Sequence, residues 1–417
     1  MLRSLLSLFS PYAHPFEKKV DRFFKHIKST STKTKVRKKL LMLMDHDLVI
    51  TNLWMEKKYK NYVYLKKSVR KKMYADVEAL KADFLDYAQK HSSREAVITK
   101  RLAAKGHSFP SHLREEVLFI GTIMTYLKPG GRYQYQLSAN FGKLLKDPKH
   151  SKLIGDCNQI VTLYSFLFSL KFPLKDLQIK MLPKHVCLHF KGIDIEATNG
   201  TFQKYKEHDG VLPITEIIST NILDVTDEEE RTAKIDARTM LKRAHLAESI
   251  SSNRAIVERN LKSAYHNLGL QLMRDKQFDS SVFFLEKLAD FELLQTVYHN
   301  AALHFMRKKK YTKALYYANK KGDDKLRHSI NYRQGAYYYE NKQFSKAISF
   351  FRKIGDDRMV KACYQSQYSQ QAKKVKHVKT IAQAKKFKST YKKMLDLARR
   401  ADNDRAEEWV RNMLKQL

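Results

Sequence analysis

Cys157, His185 and Glu196 stand in an order, and at spacings, that suit attack on a carbonyl by sulfur. Cys157 lies in Gly155-Asp156-Cys157-Asn158-Gln159, directly ahead of the apolar run 160–170; His185 follows twenty-eight residues later, and Glu196 eleven after that. A thiol becomes a working nucleophile when an imidazole takes its proton, and a carboxylate keeps that imidazole in the right orientation and tautomer. His189 shares strand parity with His185, and Asp194 with Glu196, so the base and the acid each keep a second candidate.

The elements that must position these groups are legible from the same residues. Asp156 is a good N-cap, and 159–170 reads as a buried helix, which places Cys157 in its first turn. There, unpaired N–H groups and the positive end of the helix dipole favour a thiolate. The same backbone N–H of Cys157 can hold an oxyanion; a second donor is expected upstream, with Gln136 and Asn140 as candidates. Gly155 permits the close approach that such a start needs. Downstream, 178–182, 185–190 and 193–197 predict short strands separated by Pro183-Lys184 and Lys191-Gly192, a small antiparallel meander. In that pairing His185, at the start of one strand, neighbours Glu196 near the end of the next.

Gly-Asp-Cys before an apolar helix, His-Val at a strand start and Ile195-Glu196-Ala197-Thr198 together resemble the transglutaminase-like branch of the papain-like cysteine-enzyme superfamily. The resemblance covers residues 110–220, about a quarter of the chain. It implies Cys157 as nucleophile, His185 as general base and Glu196 as the residue that orients the histidine. Glu196 stands where an aspartate is commoner, and Cys187 where an aromatic residue often follows the histidine. The superfamily includes peptidases, amide-transferring cross-linkers, deamidases and inactive relatives.

Composition frames the rest. A chain of 417 residues implies two or three domains. No run approaches the ~20 apolar residues of a membrane span. The opening Met1-Leu2-Arg3-Ser4-Leu5-Leu6 lacks the flanks of a signal peptide and is expected to dock on its own domain. Three cysteines supply no disulfide framework, and a reducing cytoplasm fits that count and a catalytic thiol alike. No metal, calcium or organic cofactor is implied. The formal net charge is +37, with 25 Lys+Arg against 10 Asp+Glu in 1–110 and 15 against 5 in 359–417. Basic runs at 33–40, 66–72 and 373–393 suit nucleic acid or an acidic surface, although zinc-ligand spacing and base-reading motifs are absent.

A second signal lies beyond residue 260. Gly269, Ala302 and Gly335 are 33 apart, as are Phe278, Tyr311 and Phe344, and Ser281, Ala314 and Ala347. Small residues at fixed positions let paired helices approach, and the aromatic closes the turn between them. The pattern resembles tetratricopeptide repeats contracted by one residue from the usual ~34. Tyr337, Tyr338 and Tyr339 read as repeat core.

The expected fold is α+β and predominantly helical, a transglutaminase-like core followed by an α-solenoid. The regions expected are a basic helical region (1–108), with helices at 35–51 and 55–91 and a loop over 99–110, and the core (109–222), with a helix at 112–127, a turn at 128–131 and a helical stretch to Leu145. A charged helical connector (223–260), repeats (261–357, in units near 262–290, 295–322 and 328–356) and basic capping helices (358–417) follow. The leading reading is a cytoplasmic enzyme acting on amide or peptide bonds of a protein partner recruited by the repeats. A non-catalytic adaptor of the same fold, and a basic RNA- or ribosome-associated protein, are the alternatives.

Overall fold

The computed structural model describes residues 10–27, 31–137, 140–224 and 236–417. Readings that fall on 1–9, or on the connector across 225–235, lie outside the described residues. The chain divides into two compact units, Met1–Leu268 and Gly269–Leu417. It is mostly helical, with one small antiparallel sheet in the first unit and a stack of helices in the second, an α+β layout.

In the first unit, helices Pro15–His26, Lys33–Met55, Lys67–Lys90, Glu95–Ala103 and Arg114–Tyr126 precede the sheet. The stretch 55–91 is not one helix: a wide turn, Glu56–Lys60, ends at Asn61 in the left-handed region (φ 58°), a conformation Asn tolerates. Glu95–Ala103 is helical where the sequence predicts a loop from 99, because Ile98 and Leu102, one turn apart, are both fully buried. The helical stretch to Leu145 is also replaced. Tyr133–Tyr135 (β1) pairs in parallel with Leu153–Gly155 (β2), and among the described residues of this stretch only the single turn Phe141–Leu144 is helical. Tyr133 explains the strand, since its ring is buried and its hydroxyl donates to the Gly155 carbonyl at 2.9 Å.

Helix Cys157–Ser169 follows β2 and packs on a five-stranded sheet of order β6-β5-β4-β3-β7. Its strands are Gln178–Leu182 (β3), His185–Phe190 (β4), Ile193–Glu196 (β5), Thr201–Gln203 (β6) and Gly210–Pro213 (β7). The predicted meander is present in β3–β5, with Leu182 opposite His185 and His189 opposite Asp194. Alternation sorts the two faces. Val186, Leu188, Phe190, Ile193 and Ile195 join the apolar side of the Cys157 helix in one hydrophobic cluster that runs from Phe16 to Ile250. Lys180, His185, Cys187, His189, Asp194 and Glu196 share the other face.

In the second unit, helices pair as Phe291–Arg307 with Tyr311–Lys321, then Asp324–Glu340 with Phe344–Lys353. The small residues do what their spacing suggests. A Cβ on Gly269 would lie 2.3 Å from Leu285, and one on Gly335 2.9 Å from Phe351. Ala302, Ala314 and Ala347 are fully buried. The 33-residue period extends to features the sequence reading left unused. Lys276, Lys309 and Lys342 hold left-handed φ of 61°, 55° and 59° at one turn, and Ala289, Gly322 and Gly355 hold 54°, 71° and 69° at the other. Asp290, Asp323 and Asp356 then cap the next helix through the N–H of Leu293, Leu326 and Met359. Tyr337, Tyr338 and Tyr339 are half-buried, Tyr338 stacking on Phe350 at 5.5 Å. Helices Asp357–Val375, Ile381–Lys385, Lys388–Arg400 and Asp404–Gln416 end the chain, the last three around a small core of Ala384, Tyr391, Met394 and Val410.

Ala289 is the one strained position of its turn series that carries a Cβ but is exposed. Ala289→Gly is expected to stabilise the second unit by about 1 kcal/mol through relief of the left-handed conformation. Thermal unfolding followed by Trp409 emission reads this; an unchanged or lowered midpoint contradicts it.

Candidate active site

The site is assembled at the start of the Cys157 helix. Asp156 is its N-cap, its Oδ1 accepting the N–H of Asn158 (3.0 Å) and Gln159 (3.2 Å). The cap leaves the N–H of Cys157 outside it, at the positive end of the helix. Gly155 is required by space: a Cβ there would come within 2.9 Å of Leu144. Cys157 itself is partly exposed and unpaired with another cysteine.

His185 opens β4 after a tight turn in which Lys184 takes φ 58°. Its Nε2 meets Oε2 of Glu196 at 2.7 Å. Cys157 is near enough to act on the same ring, and the two residues line one cleft. Because Nε2 is taken by Glu196, Nδ1 is the nitrogen left for the sulfur. Hydrogen bonds to Cys157 and then Glu196 raise the imidazole pKa to about 10, against the opposing effect of burial.

Glu196 ends β5 and is almost fully buried. Every donor it needs is present. Thr198 gives its N–H (3.2 Å) and hydroxyl (2.5 Å) to Oε1, and Tyr205 gives its hydroxyl to Oε2 at 2.8 Å. Burial alone would raise this carboxyl, but His185, Thr198 and Tyr205 hold it below the ordinary glutamate value.

The second candidate pair forms a separate cluster. His189 Nδ1 lies 2.7 Å from Asp194 Oδ1, and its Nε2 accepts the N–H of Gly192 at 3.2 Å, so both ring nitrogens are engaged. Asp194 Oδ2 accepts from Lys180 (2.7 Å) and from the Tyr205 N–H (2.8 Å). Burial opposes ionisation of Asp194, yet His189, Lys180 and the Tyr205 N–H hold its pKa down. Tyr205 thus belongs to both clusters: its backbone is tied to Asp194 and Lys180, and its phenol reaches Glu196. Nothing in the spacing of Lys204-Tyr205-Lys206 marks it in the sequence.

Upstream, the Gln136 N–H donates to the Gly155 carbonyl at 3.1 Å, which sets Gln136 beside the strand that leads into Cys157. Asn140 is buried, and its Oδ1 accepts from the Gly142 N–H at 2.9 Å and from the Tyr64 hydroxyl. Tyr135 ends β1; burial, followed by Cys157, Asp156 and Glu196, raises its phenol. Cys187, on the same face as His185, is fully buried, and burial pushes its thiol well above the usual range.

A cleft of about 540 Å3 opens at the site, with Cys157, His185 and Lys184 on one wall and Asp224, Ile256 and Arg259 on the others. That volume lies within the range of sites that enclose a small ligand or a peptide side chain. Among the described residues, no group of three or more His, Cys, Asp or Glu side chains is placed to hold a metal ion, and no helix is long and apolar enough to cross a membrane. Chemically, the arrangement offers a partly exposed sulfur, an imidazole able to move its proton, a buried carboxylate behind that imidazole and an uncapped N–H beside the sulfur. No protein-family model matches the chain, and no curated protein matches it.

Proposed function

We propose that the chain is a transglutaminase-like cysteine enzyme that acts on amide or peptide bonds of a protein partner, with its tetratricopeptide-like array as the recruiting part. The observation that carries the reading is the His185 imidazole held by Glu196 at 2.7 Å and lining one open cleft together with Cys157. In this reading the Cys157 sulfur attacks the substrate carbonyl, and His185 passes the thiol proton to the departing amine. The resulting thioester is opened by water or by an amine, whose proton returns to His185. Glu196 keeps the imidazole oriented, and the N–H of Cys157 with a donor from Gln136 holds the oxyanion. His189 and Asp194 brace Tyr205 in this scheme and touch no substrate.

A peptidyl vinyl sulfone tests it. The expected adduct is on Cys157 alone, since Cys187 and Cys363 are buried; burial pushes the Cys363 thiol up to about 11. His185→Ala is expected to slow labelling at least about tenfold. Equal, slow labelling of all three cysteines, or labelling of Cys157 indifferent to His185→Ala, rejects the enzyme and favours the adaptor.

A further inference from the structure

The basic run 373–393 plays no part in the site above, and in the second unit it folds around a groove. Its walls come from the end of helix Asp357–Val375, the turn 376–380 and helices Lys388–Arg400 and Asp404–Gln416. The cavity measures about 640 Å3. Val375, Ala384, Met394 and Met413 give it an apolar floor, while Ile381 and Trp409, 40% and 49% exposed, stand open beside it. Lys373, Lys376 and Lys379 line it, and no Asp or Glu among the described residues does. All three lysines are exposed, and none has a carboxylate within salt-bridge distance among the described residues. Three ammonium groups at the edge of an apolar floor favour a partner that carries negative charge. The turn that carries them is pinned, since Thr380 accepts the Gln383 N–H (3.2 Å) and Gln383 Oε1 accepts those of Lys379 (2.9 Å) and Thr380 (3.3 Å). A preformed wall lowers the ordering cost of binding.

We propose that this groove docks an acidic amphipathic helix of a partner protein. Apolar side chains one turn apart enter the floor, where methionines adapt to their shape, and flanking carboxylates meet Lys373, Lys376 and Lys379. The floor argues against single-stranded nucleic acid, whose bases need open ring faces: of the three rings that line it, Tyr391 is buried, Tyr368 is half-buried and Trp409 is exposed. The inference rests on the reading that the second unit recruits a partner, and it is independent of the chemistry at Cys157.

The chain has two tryptophans, Trp54 buried in the first unit and Trp409 at the groove, so full-length protein carrying Trp54→Phe reports on the groove alone. The probe is a synthetic helix of about four turns with leucines on one face and glutamates elsewhere, beside a copy with lysine for glutamate and an oligouridylate. The glutamate peptide is expected to shift Trp409 emission to the blue and to shield it from acrylamide, saturably and less tightly as salt rises. Lys373→Glu with Lys376→Glu is expected to weaken it about tenfold or more, and the milder Lys376→Gln with Lys379→Gln by less. Cys157→Ala leaves the titration unchanged, which separates this outcome from the fate of the catalytic reading. No response to the glutamate peptide, an equal response to the lysine peptide, indifference to the lysine substitutions, or tighter binding of the oligouridylate each overturns the proposal.

Discussion

Glu196→Gln is expected to bring the titration of His185 down from about 10 by about one to three pH units. The carboxylate lies 2.7 Å from Nε2, and an amide at that place accepts the hydrogen bond without supplying the charge. Part of the elevation is expected to survive, because Cys157 also raises the ring. Imidazole proton shifts followed by NMR across pH 5–11 read the value, with His185→Ala identifying the resonance among sixteen histidines. A midpoint that stays near 10 removes Glu196 as the partner that matters. The stability consequence has a definite sign. His185 is raised from 6.5, so its contribution is complete below about 6.5 and is lost as pH rises through about 10. Glu196 is lowered from 4.5, so its contribution is present above 4.5 and is lost as pH falls through its depressed value. The pair is therefore most stabilising between about 4.5 and 6.5, and Glu196→Gln flattens both limbs.

Arg70→Met is expected to destabilise the first unit by about 3–5 kcal/mol. Arg70 and Glu17 are both buried, and the guanidinium meets the carboxylate at 2.7 and 3.1 Å. Arg70 also donates to the carbonyls of Leu65 (2.6 Å) and Pro11 (2.7 Å), fastening the chain ahead of the first helix. Removing the cation leaves a buried carboxylate with, among the described residues, only the Tyr74 hydroxyl and the Ala13 N–H to satisfy it. Adding Glu17→Gln is expected to restore part of the loss, because the double variant buries no lone charge. Urea unfolding followed by Trp54, whose ring lies 5.2 Å from the guanidinium, measures both. A loss below 1 kcal/mol, or a double variant weaker than the single, contradicts the account.

The local parts of the site were readable because local rules set them. Asp156 caps the helix as its type predicts, and β3 and β4 begin and end where the Pro183-Lys184 turn requires. Which acid meets which imidazole was not readable from parity, since Asp194 and Glu196 point the same way from β5. Register separates them: Asp194 lies directly opposite His189, while Glu196, at the strand end, is left for His185. Tyr205 was invisible because it reaches Glu196 from a segment outside the paired strands. The strand Tyr133–Tyr135 was missed for a related reason, as three residues carry almost no periodic signal and their partner lies twenty residues on. In the array, the spacing of Gly269, Ala302 and Gly335 marked the close helix contacts, whereas the aspartate caps, equally periodic, went unread.

Those caps and left-handed turns recur with every 33 residues, so each hairpin brings its own start, reversal and stop. Lengthening the stack then requires no redesign of a neighbour's junctions. A copied segment equivalent to 290–322 spliced after Gly322 arrives with matching joints at both borders, and the chain can evolve its reach by whole-unit duplication while the first unit stays untouched.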